Sequence, residues 1–367
     1  GQRHSAGVEK GKQVMTELGS ILKRIEPADA ASRRKAEERL GQLTMPFWAL
    51  GRLMDLAVDL AGITRSLKPP VARKAVVVMA GDHGVTAESV SRYPRKVTVQ
   101  MVHNIVNGGA GINALARLGG VRVAVVDMGV AGNLEDLAGK GKIIGRKIGR
   151  GTGNLLREPA MTREEAVRAL EAGIETALDM AGETDVFGTG DMGIGNTTPS
   201  GAIISVFSGR RAEDIAGHGT GLDEEQRRHK TDVIERALIL HRPDPADPVG
   251  VLQKVGGYEI GGIAGLILGA AAERKPVLVD GFISTAGALI ACALSPTAAD
   301  YVIASPRSME KGHRIALETL GKMPLLDLDM RLGEGTGAVL AMHLLEAAAR
   351  IMTEVATFED AMVSREA

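Results

Sequence analysis

Asp185-Val-Phe-Gly-Thr-Gly-Asp-Met-Gly-Ile-Gly-Asn-Thr197 opens as a short apolar run and closes as a glycine-rich stretch carrying Asn and Thr side chains. The spacing predicts a buried strand over Asp185-Val-Phe187 and a loop from Gly188 to Thr197 at its C-terminal end. The same unit recurs outward in both directions. Ala75-Val-Val-Val-Met79 leads into Ala-Gly-Asp-His-Gly84, and Val121–Val126 into Asp127-Met-Gly129. Pro276–Val279 leads into Asp280-Gly-Phe282, Tyr301–Ala304 into Ser305–His313, and Leu325–Leu328 into Arg331-Leu-Gly-Glu-Gly-Thr-Gly-Ala338. Six such runs, separated by helix-length segments, predict an α/β fold: a parallel, Rossmann-like sheet of about six strands flanked by helices. In such a sheet ligands bind outside the carboxyl ends of the strands, where every one of these polar loops falls.

Helical patterns flank the sheet. Residues from about 8 to 66 carry helical spacing, with an amphipathic segment at Asp29–Leu43, a second at Leu50–Ile63, and Pro69-Pro70 as the stop. Thr162-Arg-Glu-Glu165 has capping-box spacing and opens a helix running to about Ala181. The last segment, from about Ala338 to Glu366, is expected to be helical and to pack on the N-terminal helices. The expected division is a small helical domain, 1–68 with 345–367, and a large α/β domain, 69–344.

The 367 residues carry a formal net charge of −1 and 2% aromatic residues. No global field draws the chain to nucleic acid or an anionic membrane, and base-stacking platforms are scarce. The one cysteine, Cys292, sits in an apolar run and forms no internal disulfide, which fits a reducing cytoplasm. No run of about 18 apolar residues appears. The 47 glycines cluster in short loops, a pattern suited to close backbone approach to a ligand.

Glu334 is the most telling single residue. It stands between two glycines, after an apolar run and directly before a helical one. A strand, a tight turn and a helix N-terminus make an anion site, for which a carboxylate has the wrong charge. Glu334 is therefore a candidate base beside a bound phosphate, with a solvated loop carboxylate as the plain alternative. Asp191-Met-Gly-Ile-Gly-Asn-Thr-Thr198 suits phosphate and ribose through unobstructed backbone N–H groups. It lacks the Walker lysine. Gly217–Asp223 is a second such loop, followed by Lys230, which reads either as a phosphate-facing lysine or as an ordinary surface one. Glu259 at a helix entrance reads as dipole pairing. Asp280 could bond neighbouring loop amides. Asp82 and His83 are adjacent and need not converge on a metal.

Taken together and in order, these loops resemble one family, the nicotinate-nucleotide–dimethylbenzimidazole phosphoribosyltransferases. The matching stretches are Ala80–Val85, Val97–Val102 with Gly108-Gly-Ala-Gly-Ile-Asn113, Met192–Thr198, Gly219–Asp223, Val255–Ile260, Asp280-Gly-Phe282 with Thr285-Ala286, Ser308 with Glu310 and Gly312-His313, and Gly333-Glu-Gly-Thr-Gly337. The resemblance implies transfer of 5-phosphoribose from nicotinate mononucleotide to 5,6-dimethylbenzimidazole, with inversion from β to α. The products are α-ribazole 5'-phosphate and nicotinate, in synthesis of the cobalamin lower ligand. Glu334 aligns with the family's catalytic glutamate, which takes the proton from the attacking azole. Gly193, Gly195, Asn196, Thr197, Gly219, Lys230, Asp280, Gly281 and Ser308 fall on the phosphate and ribose side. Asp82, Ser91, Tyr93, Gln100, Asp191 and Met192 fall on the base side. The resemblance implies no cofactor and no metal, because the quaternised nicotinate is already a leaving group. It further implies a homodimer acting on small molecules, without nucleic-acid or membrane partners.

Three departures from the family pattern stand out. Asp191 replaces a glutamate, Met45-Pro-Phe-Trp-Ala49 replaces a Lys-Pro-Pro-Gly-Ser segment and brings apolar bulk near the base site, and Arg95-Lys96 reverses a Gln-Glu pair. Alternatives left by the sequence are the same chemistry on a different base or a phenol, or a non-catalytic nucleotide-binding subunit.

Overall fold

The computed structural model describes residues 18–219 and 221–364. Among these described residues eight strands appear: β1 (Lys74–Gly81), β2 (Arg122–Gly129), β3 (Ile144–Gly145), β4 (Val186–Met192), β5 (Val277–Val279), β6 (Val302–Ala304), β7 (Pro306–Ser308) and β8 (Leu326–Met330). Six form one parallel sheet in the order β3-β2-β1-β4-β5-β6. The order reverses between β1 and β4, which opens a crevice at their carboxyl ends. The predicted α/β class and parallel six-stranded sheet are what the chain forms.

The sheet's membership differs from the expectation in one strand. Leu325–Leu328 is not its sixth member; β8 pairs with β7 in a separate two-stranded ribbon. The reason lies in Leu326-Asp-Leu-Asp-Met330, which alternates apolar and charged residues and stays largely exposed, whereas a central parallel strand is buried on both faces. Asp327 instead pairs with Arg307 across the ribbon at 2.6 Å. The two-residue β3 supplies the sixth place.

β4 also runs further than Asp185–Phe187. It continues through Gly188-Thr-Gly-Asp to Met192, so these glycines belong to a strand. A Cβ on Gly188 would lie 2.9 Å from the end of Met342, and one on Gly190 would lie 2.6 Å from the Glu334 carbonyl oxygen. The two glycines thus let the Glu334 loop and the following helix rest directly on the sheet.

That helix is Thr336–Glu354, and it packs on β4 and on the helices Arg52–Thr64 and Gly111–Gly119. The helix Tyr258–Ala272 covers the other face. Val76 of β1 meets Gly335, the N-cap of the first helix, and Met79, three residues on, meets Gly262 of the second. Helix Tyr258–Ala272 is buried almost throughout and packs on Arg163–Ala181 so closely that a Cβ on Gly265 would lie 1.9 Å from the Leu170 carbonyl oxygen. Thr162 caps Arg163–Ala181 through the predicted reciprocal bonds with Glu165. The N-terminal helices are Ala30–Leu40, capped by Asp29, and Arg52–Thr64. The C-terminal helix ends at Glu354, short of the expected Glu366, because the chain turns back there. Thr357 bridges Leu43, and Thr44 donates its N–H to the Ala356 carbonyl. Glu366 lies outside the described residues.

Candidate active site

A cleft of about 380 Å³ opens at the carboxyl edge of the sheet. Of the residues singled out in the sequence, Glu334, Gly193, Asn196, Thr197, Gly219, Gly281, Ser308, Tyr93, Asp191 and Met192 line it. Lys230, Gly195 and Asp280 lie behind its walls. Asp82, Ser91 and Gln100 do not line it. Asp82 is buried with Oδ2 accepting the Ala131 N–H at 2.8 Å, and Gln100 is exposed. Helix Val97–Val106 presents Val97 and Met101 to the cleft instead.

Glu334 is held in an uncommon backbone state. Gly333, Glu334 and Gly335 have φ values of 81°, 61° and 90°, three left-handed residues in succession. A non-glycine residue there is strained, so the surroundings must fix it. Asp280 does so. Its Oδ2 accepts the Gly335 N–H at 3.0 Å, and its Oδ1 accepts those of Gly337 at 2.9 Å and Ala338 at 3.3 Å. The anion expected at the N-terminus of helix Thr336–Glu354 is therefore the protein's own Asp280 carboxylate, leaving the phosphate to another loop. Burial, working against these amides, moves Asp280 up to about 6. Thr189 Oγ1 accepts the Asp280 N–H and completes the mount.

The Glu334 carboxylate is held by a second element. Oε2 accepts the Ile112 N–H at 3.1 Å, at the start of helix Gly111–Gly119. Asn113 fixes that turn by accepting the Ala110 N–H and donating to the Ile105 carbonyl. Glu334 is 5% exposed, and burial raises its carboxyl above the usual range. Gly109, Gly111 and Asn113 fall in a stretch matched to the family without a role; a polar side chain three residues after Ala110 was its capping signal.

Asp191 is buried on the same side, with Oδ2 accepting from Asn196 Nδ2 at 2.9 Å. Burial first and the Asp280 carboxylate second push it up to about 8. The carboxylate wall thus has its charges damped before a substrate arrives.

The opposite end is cationic. Lys230 is 1% exposed, not a surface lysine. Its Nζ donates to Thr197 Oγ1 at 2.7 Å, and burial lowers it to about 8, against a raising effect from Glu310. Gly219, at φ 50°, passes over this pair; a Cβ there would lie 3.3 Å from Nζ and 3.4 Å from Thr197 Oγ1. Thr197 opens helix Thr197–Ser208, so a helix N-terminus, a lysine and a glycine turn converge.

Two buried histidines support the walls from behind. His83 Nε2 lies 2.7 Å from Glu259 Oε1, so Glu259 has a buried histidine partner in addition to sitting at a helix entrance. Burial lowers His83, but Glu259 outweighs it and the net shift is upward. A Cβ on Gly193 would lie 3.4 Å from His83 Nε2. His313 is held neutral. Nδ1 accepts the Ser308 N–H at 2.8 Å, Nε2 bonds Thr285 Oγ1 at 2.9 Å, and Thr285 donates to the Gly281 carbonyl. Burial and then Arg307 lower His313 to about 4. Because Nδ1 accepts, Nε2 carries the proton.

The departures in Met45–Ala49 are not brought to this cleft. Met45 and Phe47 line a separate groove with Phe358, and Trp48 Nε1 donates to Asp55 at 2.7 Å. This segment is tied to the terminal helices, so its apolar bulk gathers there. Arg95 and Lys96 are exposed and do not line the cleft.

Comparison with known proteins places this architecture. A family model described as phosphoribosyltransferase matches residues 25–363. The nicotinate-nucleotide–dimethylbenzimidazole phosphoribosyltransferase of Syntrophotalea carbinolica is 60% identical over 351 residues, 96% of this chain and 99% of that protein. The protein of the same name from Geobacter sulfurreducens is 54% identical over 351 residues, 95% and 99% of the two chains. A crystal structure of the Thermus thermophilus enzyme of that name superposes with a TM-score of 0.86 at 47% identity, covering 92% of this chain and all of the other. The chain belongs to the family of nicotinate-nucleotide–dimethylbenzimidazole phosphoribosyltransferases.

Proposed function

We propose that this enzyme moves 5-phosphoribose from nicotinate mononucleotide to 5,6-dimethylbenzimidazole, releasing nicotinate and α-ribazole 5'-phosphate for the cobalamin lower ligand. The observation that carries this reading is the opposition of Glu334, mounted on Asp280 and Ile112, to the Lys230–Thr197–Gly219 corner. The phosphate belongs at the cationic corner, where Lys230 keeps N–H donors beyond the one given to Thr197. The base belongs among Val97, Met101, Met192 and Leu332, beside Asp191 and Glu334.

In the reaction one azole nitrogen attacks C1′ from the α face. The C1′–N1 bond to the pyridinium breaks on the β face, and its electron pair returns to the ring nitrogen. The azole's other N–H becomes acidic as positive charge develops, and Glu334 takes that proton. Its raised proton affinity suits the task, and the Ile112 amide keeps the carboxylate in place. Asp191, one methylene shorter than the family's usual glutamate, widens the base end.

The reading includes a helical unit, expected over 1–68 with 345–367, of which 1–17 and 365–367 lie outside the described residues, and an α/β unit, 69–344. It also includes a homodimer in the cytoplasm. Exposed Tyr93, Met309, Leu328 and Leu332 at or near the cleft support a second copy covering that side. No helix among the described residues is long and apolar enough to cross a membrane. The test is incubation with nicotinate mononucleotide and dimethylbenzimidazole, with anomeric proton NMR of the product. An α-nucleotide is expected. Release of nicotinate without any ribosylated base or phenol overturns the reading.

A further inference from the structure

Resting on that reading, we propose that Arg331 is the donor-specificity residue, binding the carboxylate of nicotinate and so selecting nicotinate mononucleotide over its amide counterpart. Of the described residues lining the cleft, Arg331 is the sole cation, beside the carboxylates Asp191, Glu310 and Glu334. It is exposed at the cleft and makes no ion pair or hydrogen bond among the described residues. Lys230 stands at the phosphate corner with Thr197 and Gly219, and the phosphate takes its remaining donors.

The position of Arg331 is fixed. Just before it, the Met330 carbonyl accepts the Met309 N–H at 2.9 Å. Just after it, Leu332 packs at Gly111, and Gly335 is tied to Asp280. Arg331 therefore shares one anchored loop with the base Glu334.

The donor's chemistry requires such a group. Its ring carries a positive nitrogen at C1′ and a carboxylate on the rim. Of the cleft carboxylates, Glu310 and Glu334 favour the positive nitrogen and repel the rim carboxylate, which a guanidinium can hold. When the C1′–N1 bond breaks, the pair stays on nitrogen and the ring changes from zwitterion to net anion. The attraction to Arg331 then grows, easing departure. The amide has no charge for Arg331 to hold.

The test measures dissociation constants of nicotinate mononucleotide and nicotinamide mononucleotide by calorimetry, without acceptor, on wild type, Arg331→Ala and Arg331→Lys. Wild type is expected to favour the carboxylate form by about tenfold or more. Arg331→Ala should erase that preference by weakening the carboxylate form alone, and Arg331→Lys should restore part of it. Equal wild-type affinity for both donors, or a preference that survives in Arg331→Ala, overturns the assignment while leaving the transfer reaction standing. A wild type that binds neither donor overturns the reaction as well as the assignment.

Discussion

The two ends of the cleft hold charge in opposite ways. At the base end, Asp191, Asp280 and Glu334 are carboxylates whose burial raises their proton affinity. At the phosphate end, Lys230 is an ammonium whose burial lowers its own. Neither end neutralises the other by direct contact. Lys230 bonds a hydroxyl, Glu334 bonds an amide, and Asp280 bonds three amides. A direct ion pair would have quenched both charges. Polar but uncharged partners hold each group in place and leave its charge for the substrate.

The largest expected break in this contrast is at the base end. Glu334→Gln keeps the shape and can still accept from Ile112, but cannot take a proton. Turnover with dimethylbenzimidazole should fall by roughly 10²-fold or more with little change in donor affinity, read from steady-state kinetics. At the phosphate end, Lys230→Met fills the same volume without charge. It should raise the donor KM by about tenfold or more and lower kcat less, a split opposite to that of Glu334→Gln.

The pH profile sharpens the same contrast. Glu334 works deprotonated, so activity should fall on the acid side as pH drops through its raised value. Lys230 works protonated, so donor binding by the free enzyme should weaken as pH rises through about 8. Lys230→Met should remove the alkaline limb from kcat/KM and keep the acid one.

The smallest effect concerns stability. Asp191 has a folded value of about 8, above its unfolded value of about 3.9. The folded state therefore binds the extra proton. The stability this brings is fully present below the unfolded value and is lost as pH rises through the folded one. Asp191→Asn mimics the protonated form and retains an oxygen for Asn196. Its melting temperature should match that of wild type below about pH 4 and exceed it by a margin that grows up to about pH 8 and then levels off.

Much of this arrangement is legible in the chain. Val76–Met79 and Val277–Val279 announce buried strands because a parallel sheet covered on both faces needs unbroken apolar runs. Thr162 and Glu165 announce their cap. What escapes has physical reasons. β3 is two residues long, below any periodicity. Gly188 and Gly190 look like a loop because the reason for them, a helix resting on the strand, is tertiary. Lys230 sits in a charged helix, yet Val233, Ile234 and Ala237 at three, four and seven residues on mark the face that buries it. Leu326–Met330 carried its own signal, since alternating Asp residues describe an exposed strand. Arg331 was legible only as part of a motif; its place at the cleft follows from how the Gly333–Gly335 turn is anchored.

The central claim, that Glu334 accepts the acceptor's proton, is tested most directly with an acceptor that has none to give. Turnover of wild type and Glu334→Gln should be compared on benzimidazole and on 1-methylbenzimidazole, which attacks through its one free nitrogen. The loss expected on benzimidazole is roughly 10²-fold, and it should shrink to under about tenfold on the methylated base. An equal loss on both acceptors, or none on benzimidazole, contradicts the claim.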